Sequence, residues 1–188
     1  GMKSWILSGL LALGMPVSSR AVVTTFYPLG VTIPDGDFNG YQNSQTMSGF
    51  TGPITDLNVT LNISGGFNGD FYAYLRHNGT TAILLNRVGR SASNAVGYPD
   101  HGFGTGPFGS IFTLDDQAAG DVHSYRSLSY TLNPAGELTG QWQPDGRSID
   151  PISSGVAFDT ASRSAMLGVF NGMDPNGVWS LYVADVSA

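Results

Sequence analysis

Apolar and polar residues alternate along Ile54 to Ile63, where Leu57, Val59, Leu61 and Ile63 are separated by Asn58, Thr60 and Asn62. A period of two sends successive side chains to opposite faces, so this run predicts a half-buried antiparallel strand. After the loop Ser64-Gly65-Gly66-Phe67-Asn68-Gly69, residues 70–77 predict a second strand, and Thr80 to Asn86 a third. Asn78-Gly79 between the last two supplies the positive φ angles of a tight turn, making 71–86 a hairpin.

Shorter segments continue the theme. Val22 to Tyr27 is rich in β-branched and aromatic residues and reads as a first strand, ended by Pro28 and Gly30. Gln45 to Ser48, Ser110 to Leu114, Ser127 to Leu132 and Ala165 to Phe170 are further strand candidates. In Val178 to Asp185 the side chains of Trp179, Leu181 and Val183 share one face. Pro34 to Gly40 is a turn cluster, and turns dominate 133–158. Residues 89–109 hold glycine and proline with little apolar periodicity and read as a long surface loop. Many short strands with few helical patterns predict an all-β fold, a two-layer antiparallel β-sandwich, with a jelly roll as the favoured version.

Composition sharpens this picture. The 188 residues suffice for one domain with a sizeable core. They include 26 glycines and 10 prolines and only 12% charged residues, where about 25% is usual. That balance favours turns and a surface of Asn, Ser, Thr and Gly, as is common outside the cell. A net charge of −6 with a single lysine, Lys3, provides no basic face for phosphates, so neither nucleic acid nor an anionic membrane surface is expected as a partner. The absence of cysteine removes disulfides, thiolate metal ligands and cysteine nucleophiles.

The first 21 residues read differently. Met2-Lys3 precedes an apolar stretch from Trp5 to Met15, and Ser19-Arg20-Ala21 ends a run of small residues. These are the three parts of a secretory leader, with cleavage expected after Ala21 and Gly1 as a cloning remnant. The apolar stretch is short for a membrane span. A secreted, periplasmic or cell-surface domain over 22–188 is the expectation, and a leader left in place should lie outside the fold.

The ordered motifs resemble the P domain that follows the catalytic domain in kexin- and furin-type subtilisin-like proteases, a jelly-roll module of galactose-binding-like architecture. Ile33-Pro34-Asp35 is similar to that family's opening segment, Ile54 to Leu61 to its first long strand, and Gly69-Asp70-Phe71 to its Gly-Asp-Leu. Asn78-Gly79-Thr80 resembles its Pro-x-Gly-Thr turn, with Leu84-Leu85 as the leucines that follow, and Phe112 to Asp116 resembles its Phe-x-Asp-Asp segment. Gly177 to Asp185 is similar to its Gly-x-Trp-x-Leu-x-Val-x-Asp and is the most specific match. The family's histidine before Gly-Asp-Leu is absent, and its last strand, with Gly-x-Leu-x-x-Trp, has no counterpart before Ala188. An open sheet edge, filled by a partner or by further chain, is therefore expected. The resemblance implies a non-catalytic module with a structural or protein-binding accessory role, free-standing here because no catalytic domain accompanies it.

Candidate chemistry is sparse. Carboxylates in or beside turns at Asp35, Asp37, Asp70, Asp115, Asp116 and Asp174 are candidate hard-oxygen ligands for calcium, which P domains can bind. Aspartate is also an ordinary turn former. Trp142 and Tyr98, both placed in loops, are candidates for stacking on sugar rings, which makes a carbohydrate-binding module of the cell surface the first alternative. The second is a hydrolase, which would need some pair among Asp115, Asp116, Glu137, the one glutamate, and the histidines His77, His101 and His123 to converge in one cleft. No serine motif accompanies any of these histidines, so no enzyme activity is expected.

Overall fold

The computed structural model describes residues 7–13, 20–26, 30–104 and 111–187, the first two stretches by their backbone alone. Its strands are β1 (Leu7–Leu13), β2 (Arg20–Phe26), β3 (Tyr41–Met47), β4 (Asp56–Leu61), β5 (Ile63–Ser64), β6 (Phe71–His77), β7 (Thr80–Asn86), β8 (Gly102–Phe103), β9 (Phe112–Leu114), β10 (Gly140–Trp142) and β11 (Gly177–Asp185). One five-stranded sheet has the order β10-β9-β4-β1-β2, a four-stranded sheet the order β3-β11-β6-β7, and β5 pairs with β8. Among the described strand pairs only β9 with β10 is parallel. The chain is all-β in its main character, with antiparallel sheets, as the alternation predicts.

The alternating run works as expected: Leu57, Val59 and Leu61 of β4 are all buried, and Ile63 of β5 is fully so. Phe71, Ala73 and Leu75 of β6 and Trp179, Leu181 and Val183 of β11 join them, with Phe112 and Leu114 of β9, in one apolar cluster. Removing each such side chain from water contributes about 1.5–3 kcal/mol before entropy is set against it. Asn78 and Gly79 have φ of 46° and 80°, the mirror-image turn that matches strand twist.

The edges are managed differently. β3 presents Gln42, Ser44 and Thr46 to solvent, polar residues that discourage further pairing. β7 is buried from Ala82 to Asn86 on both faces because later chain lies over it. The amides of Asp145 and Gly146 donate to the carbonyls of Leu84 and Ile83, and the Ile83 amide donates to the Ala165 carbonyl.

Several expectations are corrected. Leu167–Phe170 forms a 3₁₀ turn, not a strand, because both carboxylate oxygens of Asp116 accept from the Leu167 and Gly168 amides at 3.0 and 2.6 Å. The 127–132 strand is absent; its start belongs to the 3₁₀ segment Val122–Ser127. The turn-rich region holds α1 (Gly155–Thr160), capped by the Ser154 hydroxyl. The loop 89–104 packs inward through Asp100, Gly102 and Phe103 instead of lying on the surface. Leu7–Leu13, the apolar part of the expected leader, pairs as β1 between β2 and β4. The leader's charged start and the approach to its cleavage site, residues 1–6 and 14–19, lie outside the described residues, as do Tyr27, Pro28 and Gly106 to Ser110.

Where the loop 89–104 crosses the start of β6, Gly97 has φ of 80°, and a Cβ there would meet the Gly69 Cα at 2.6 Å and the Val88 carbonyl at 2.7 Å. Gly97→Ala is therefore expected to destabilise the chain by about 2–4 kcal/mol in urea unfolding. Gly172→Ala, at a φ of 85° with open space around it, is expected to cost only about 1–2 kcal/mol. Equal losses at both positions would show that backbone conformation alone, and not the close approach, sets the cost.

Candidate functional site

Two clusters of buried polar groups lie among the described residues. In the first, Asp145 is fully buried and accepts from His123 Nδ1 at 2.6 Å. The other ring nitrogen of His123 faces the Arg90 carbonyl at 2.9 Å, and the ring stacks on Phe158 of α1 with 5.6 Å between centroids. Arg147 reaches Asp121 at 2.9 Å and Asp145 at 3.3 Å, and Arg163 lies 3.4 Å from Asp121. An Asp–His pair is the base half of a hydrolytic triad. Here, however, the outer ring nitrogen meets a carbonyl oxygen where a nucleophile would stand, so the pair ties loops together.

In the second cluster Arg126 makes a two-pronged bond to Asp100, at 2.8 and 2.6 Å, and the Tyr125 hydroxyl donates to the same carboxylate. Asn68 donates to the Tyr125 hydroxyl at 3.2 Å and accepts from the Gly102 amide at 2.8 Å. Burial alone would raise the Asp100 pKa, but the bonds from Arg126 and Tyr125 outweigh it and hold the carboxyl below its usual range.

The remaining histidines are also placed structurally. His77 stacks on Trp179 at 4.1 Å with rings 2° from parallel, its nitrogens against the Val178 and Asp174 carbonyls at 2.9 and 2.7 Å. His101 is exposed beside Phe67. Glu137 is buried with Asn133 at 2.6 Å. Among the described residues no histidine is hydrogen-bonded to Asp115, Asp116, Glu137 or a Ser or Thr hydroxyl.

The six calcium candidates do not converge. Asp37 and Asp174 each accept from an asparagine two residues on, Asp115 accepts from the Gln117 amide, and Asp116 caps the Leu167 turn. Asp35 and Asp70 do share one cavity, with Asp185, but the Arg87 guanidinium stands 3.7 Å from Asp70. No group of three or more acidic, His or Cys residues suited to a metal occurs among the described residues. A calcium cage takes six to eight oxygens around one point, and of the six candidates only Asp35 and Asp70 line a common cavity among the described residues.

Both candidate sugar-stacking aromatics are held by contacts within the fold, and each also lines a cavity, Trp142 with Leu128 and Tyr130 and Tyr98 with Phe67 and Val96. Trp142 ends β10 instead of lying in a loop, is 6% exposed and donates to the Thr139 carbonyl at 2.9 Å. Tyr98 packs edge-on to Tyr125 at 4.8 Å, with Arg126 5.5 Å over its ring.

The aromatic surface lies on the outer face of the four-stranded sheet. Because Phe71, Ala73 and Leu75 point inward, Tyr72 and Tyr74 point outward; Tyr182, directly across from Tyr74, does the same on β11. Tyr74 and Tyr182 stack at 4.7 Å and 14°, and Tyr72 stands edge-on to both at about 6 Å. They floor a groove of about 540 Å³ walled by Phe38 on one side and residues 148–151 on the other. Burial first, then the neighbouring phenols and Asp150, pushes the Tyr72 pKa up to about 12. The Tyr72 phenol therefore stays neutral and able to donate. The signal was present in Phe71-Tyr72-Ala73-Tyr74: once one face of β6 is assigned to the core, the other carries the tyrosines.

No family model, curated protein or solved structure matches the chain.

Two measurements check this arrangement. Desolvation by itself lowers the His123 pKa, but the hydrogen bond and charge of Asp145 outweigh it and raise it above 6.5. Protonation thus favours the folded state: the stabilisation is complete below the unfolded value and lost as pH rises through the raised folded one. Urea stability is expected to fall across that window and to lose this slope in His123→Gln; an unchanged slope would place the titration elsewhere. Excess calcium against chelator is expected to leave the melting midpoint unchanged, whereas a reversible rise would reveal preferential ion binding to the folded state.

Proposed function

We propose that the chain is a secreted, non-catalytic binding module of the jelly-roll β-sandwich type, with the accessory role that its resemblance to protease P domains implies. The observation that carries this reading is the division of labour among its side chains. Those with catalytic potential, His77, His123, Asp100, Asp116 and Asp145, are bonded to the fold itself. The concave aromatic surface of Tyr72, Tyr74 and Tyr182 is built from residues that the core does not need. Surfaces of this kind are suited to binding.

Support for secretion comes from the leader-like first 21 residues and the sparse charge. The apolar cluster shared by the two larger sheets supports the sandwich reading.

The test is turnover. Purified chain incubated with chromogenic ester, glycoside and peptide substrates is expected to release no more product than buffer. Turnover that persists through purification and disappears in His101→Ala or His123→Gln, with unchanged melting, would overturn the proposal in favour of a hydrolase.

A further inference from the structure

Resting on the reading of the chain as a binding module, we infer that the groove between Phe38 and Asp150 is a saccharide subsite that takes a neutral pyranose ring on the outer face of the β3-β11-β6-β7 sheet. The groove is built, not incidental. The Tyr182 hydroxyl donates to the Phe38 carbonyl and fixes one wall. On the other, the fully buried Asn86 amide donates to the carbonyls of Arg147 and Ile149, both at 3.0 Å. Walls held before the ligand arrives reduce the ordering cost of binding.

Its chemistry selects among ligands. About 540 Å³ falls in the range of small-ligand pockets, roughly 300–1,000 Å³. A pyranose is amphipathic, with an apolar C–H face and a rim of hydroxyls. Phe38, 49% exposed, supplies an apolar face; the Tyr72 and Tyr74 phenols, Ser148 and the Asp150 carboxylate supply donors and acceptors for hydroxyls. Anionic ligands are disfavoured because Asp150 and Asp37 are close enough to raise the phenol pKa values of Tyr72 and Tyr182 and no cation lines the groove. A cation cage needs ring faces turned to a common point, whereas Tyr74 and Tyr182 cover one another.

Phe38 and Asp150 are exposed, so Phe38→Ala and Asp150→Ala leave the core untouched. Nitrogen-15 chemical shifts of the full chain are recorded during titration with cellobiose, maltose, lactose and N,N′-diacetylchitobiose. The expected result is saturable shifts at Tyr72, Tyr74 and Tyr182 for at least one disaccharide, with affinity reduced at least about tenfold in both variants at unchanged melting temperature. No saturable shift with any of the four, shifts centred elsewhere, or affinity unaltered by the two variants would overturn the subsite. A proline-rich peptide that competes for the groove while the sugars do not would overturn the saccharide assignment but leave the binding-module reading standing. Turnover in the chromogenic assays would instead remove that reading itself.

Discussion

A fully buried carboxylate, that of Asp145, is the constraint around which the non-strand half of the molecule is arranged. An ionised group without water is tolerated only when other charges and donors surround it. His123 comes from the 3₁₀ segment after Asp121, Arg147 from two residues on, and Arg163 reaches the Asp145 carbonyl from beyond α1. This one residue thus draws three separate pieces of chain to the rim of β7. The amide of Asp145 then donates to Leu84, so the charge network and the cover over the β7 edge are the same construction. Loss of one partner would leave a buried charge exposed to its full desolvation penalty, which is why such networks stiffen loops that have few apolar contacts of their own.

The strands were legible in the sequence because alternation is a local signal. Leu57, Val59 and Leu61 announce an inner face without reference to the rest of the chain, and Asn78-Gly79 announces its turn in two residues. The loops were not, since their shapes follow from long-range bonds. Nothing near Leu167 says that Asp116, far back in the chain, will cap it into a 3₁₀ turn. Nothing near Trp142 says that β9 will pair with it in parallel. A parallel neighbour leaves no hairpin signature to read.

The candidate site divides along the same line. Its floor was implicit in β6 and β11, where every residue opposite a core position must face out. Its walls depend on Asn86, which is a strand residue by sequence and a loop anchor by structure. Attention to aromatics in loops led to Tyr98 and Trp142, which pack on Tyr125 and each edge a cavity, while the tyrosines of a regular strand form a further open surface.

The placement of the cations has a consequence for the durability of the chain. Lys3 lies outside the described residues and Arg20 opens β2; Arg87, Arg90, Arg126, Arg147 and Arg163 are each bound to carbonyls or carboxylates of the folded chain, and Arg76 sits in mid-strand. Proteases that cut after basic residues require several residues of yielding, accessible backbone around the cleavage point. From Arg20 onward each of their recognition residues is either clamped or woven into a sheet, so the folded chain, which has no disulfide, offers such proteases little yielding backbone.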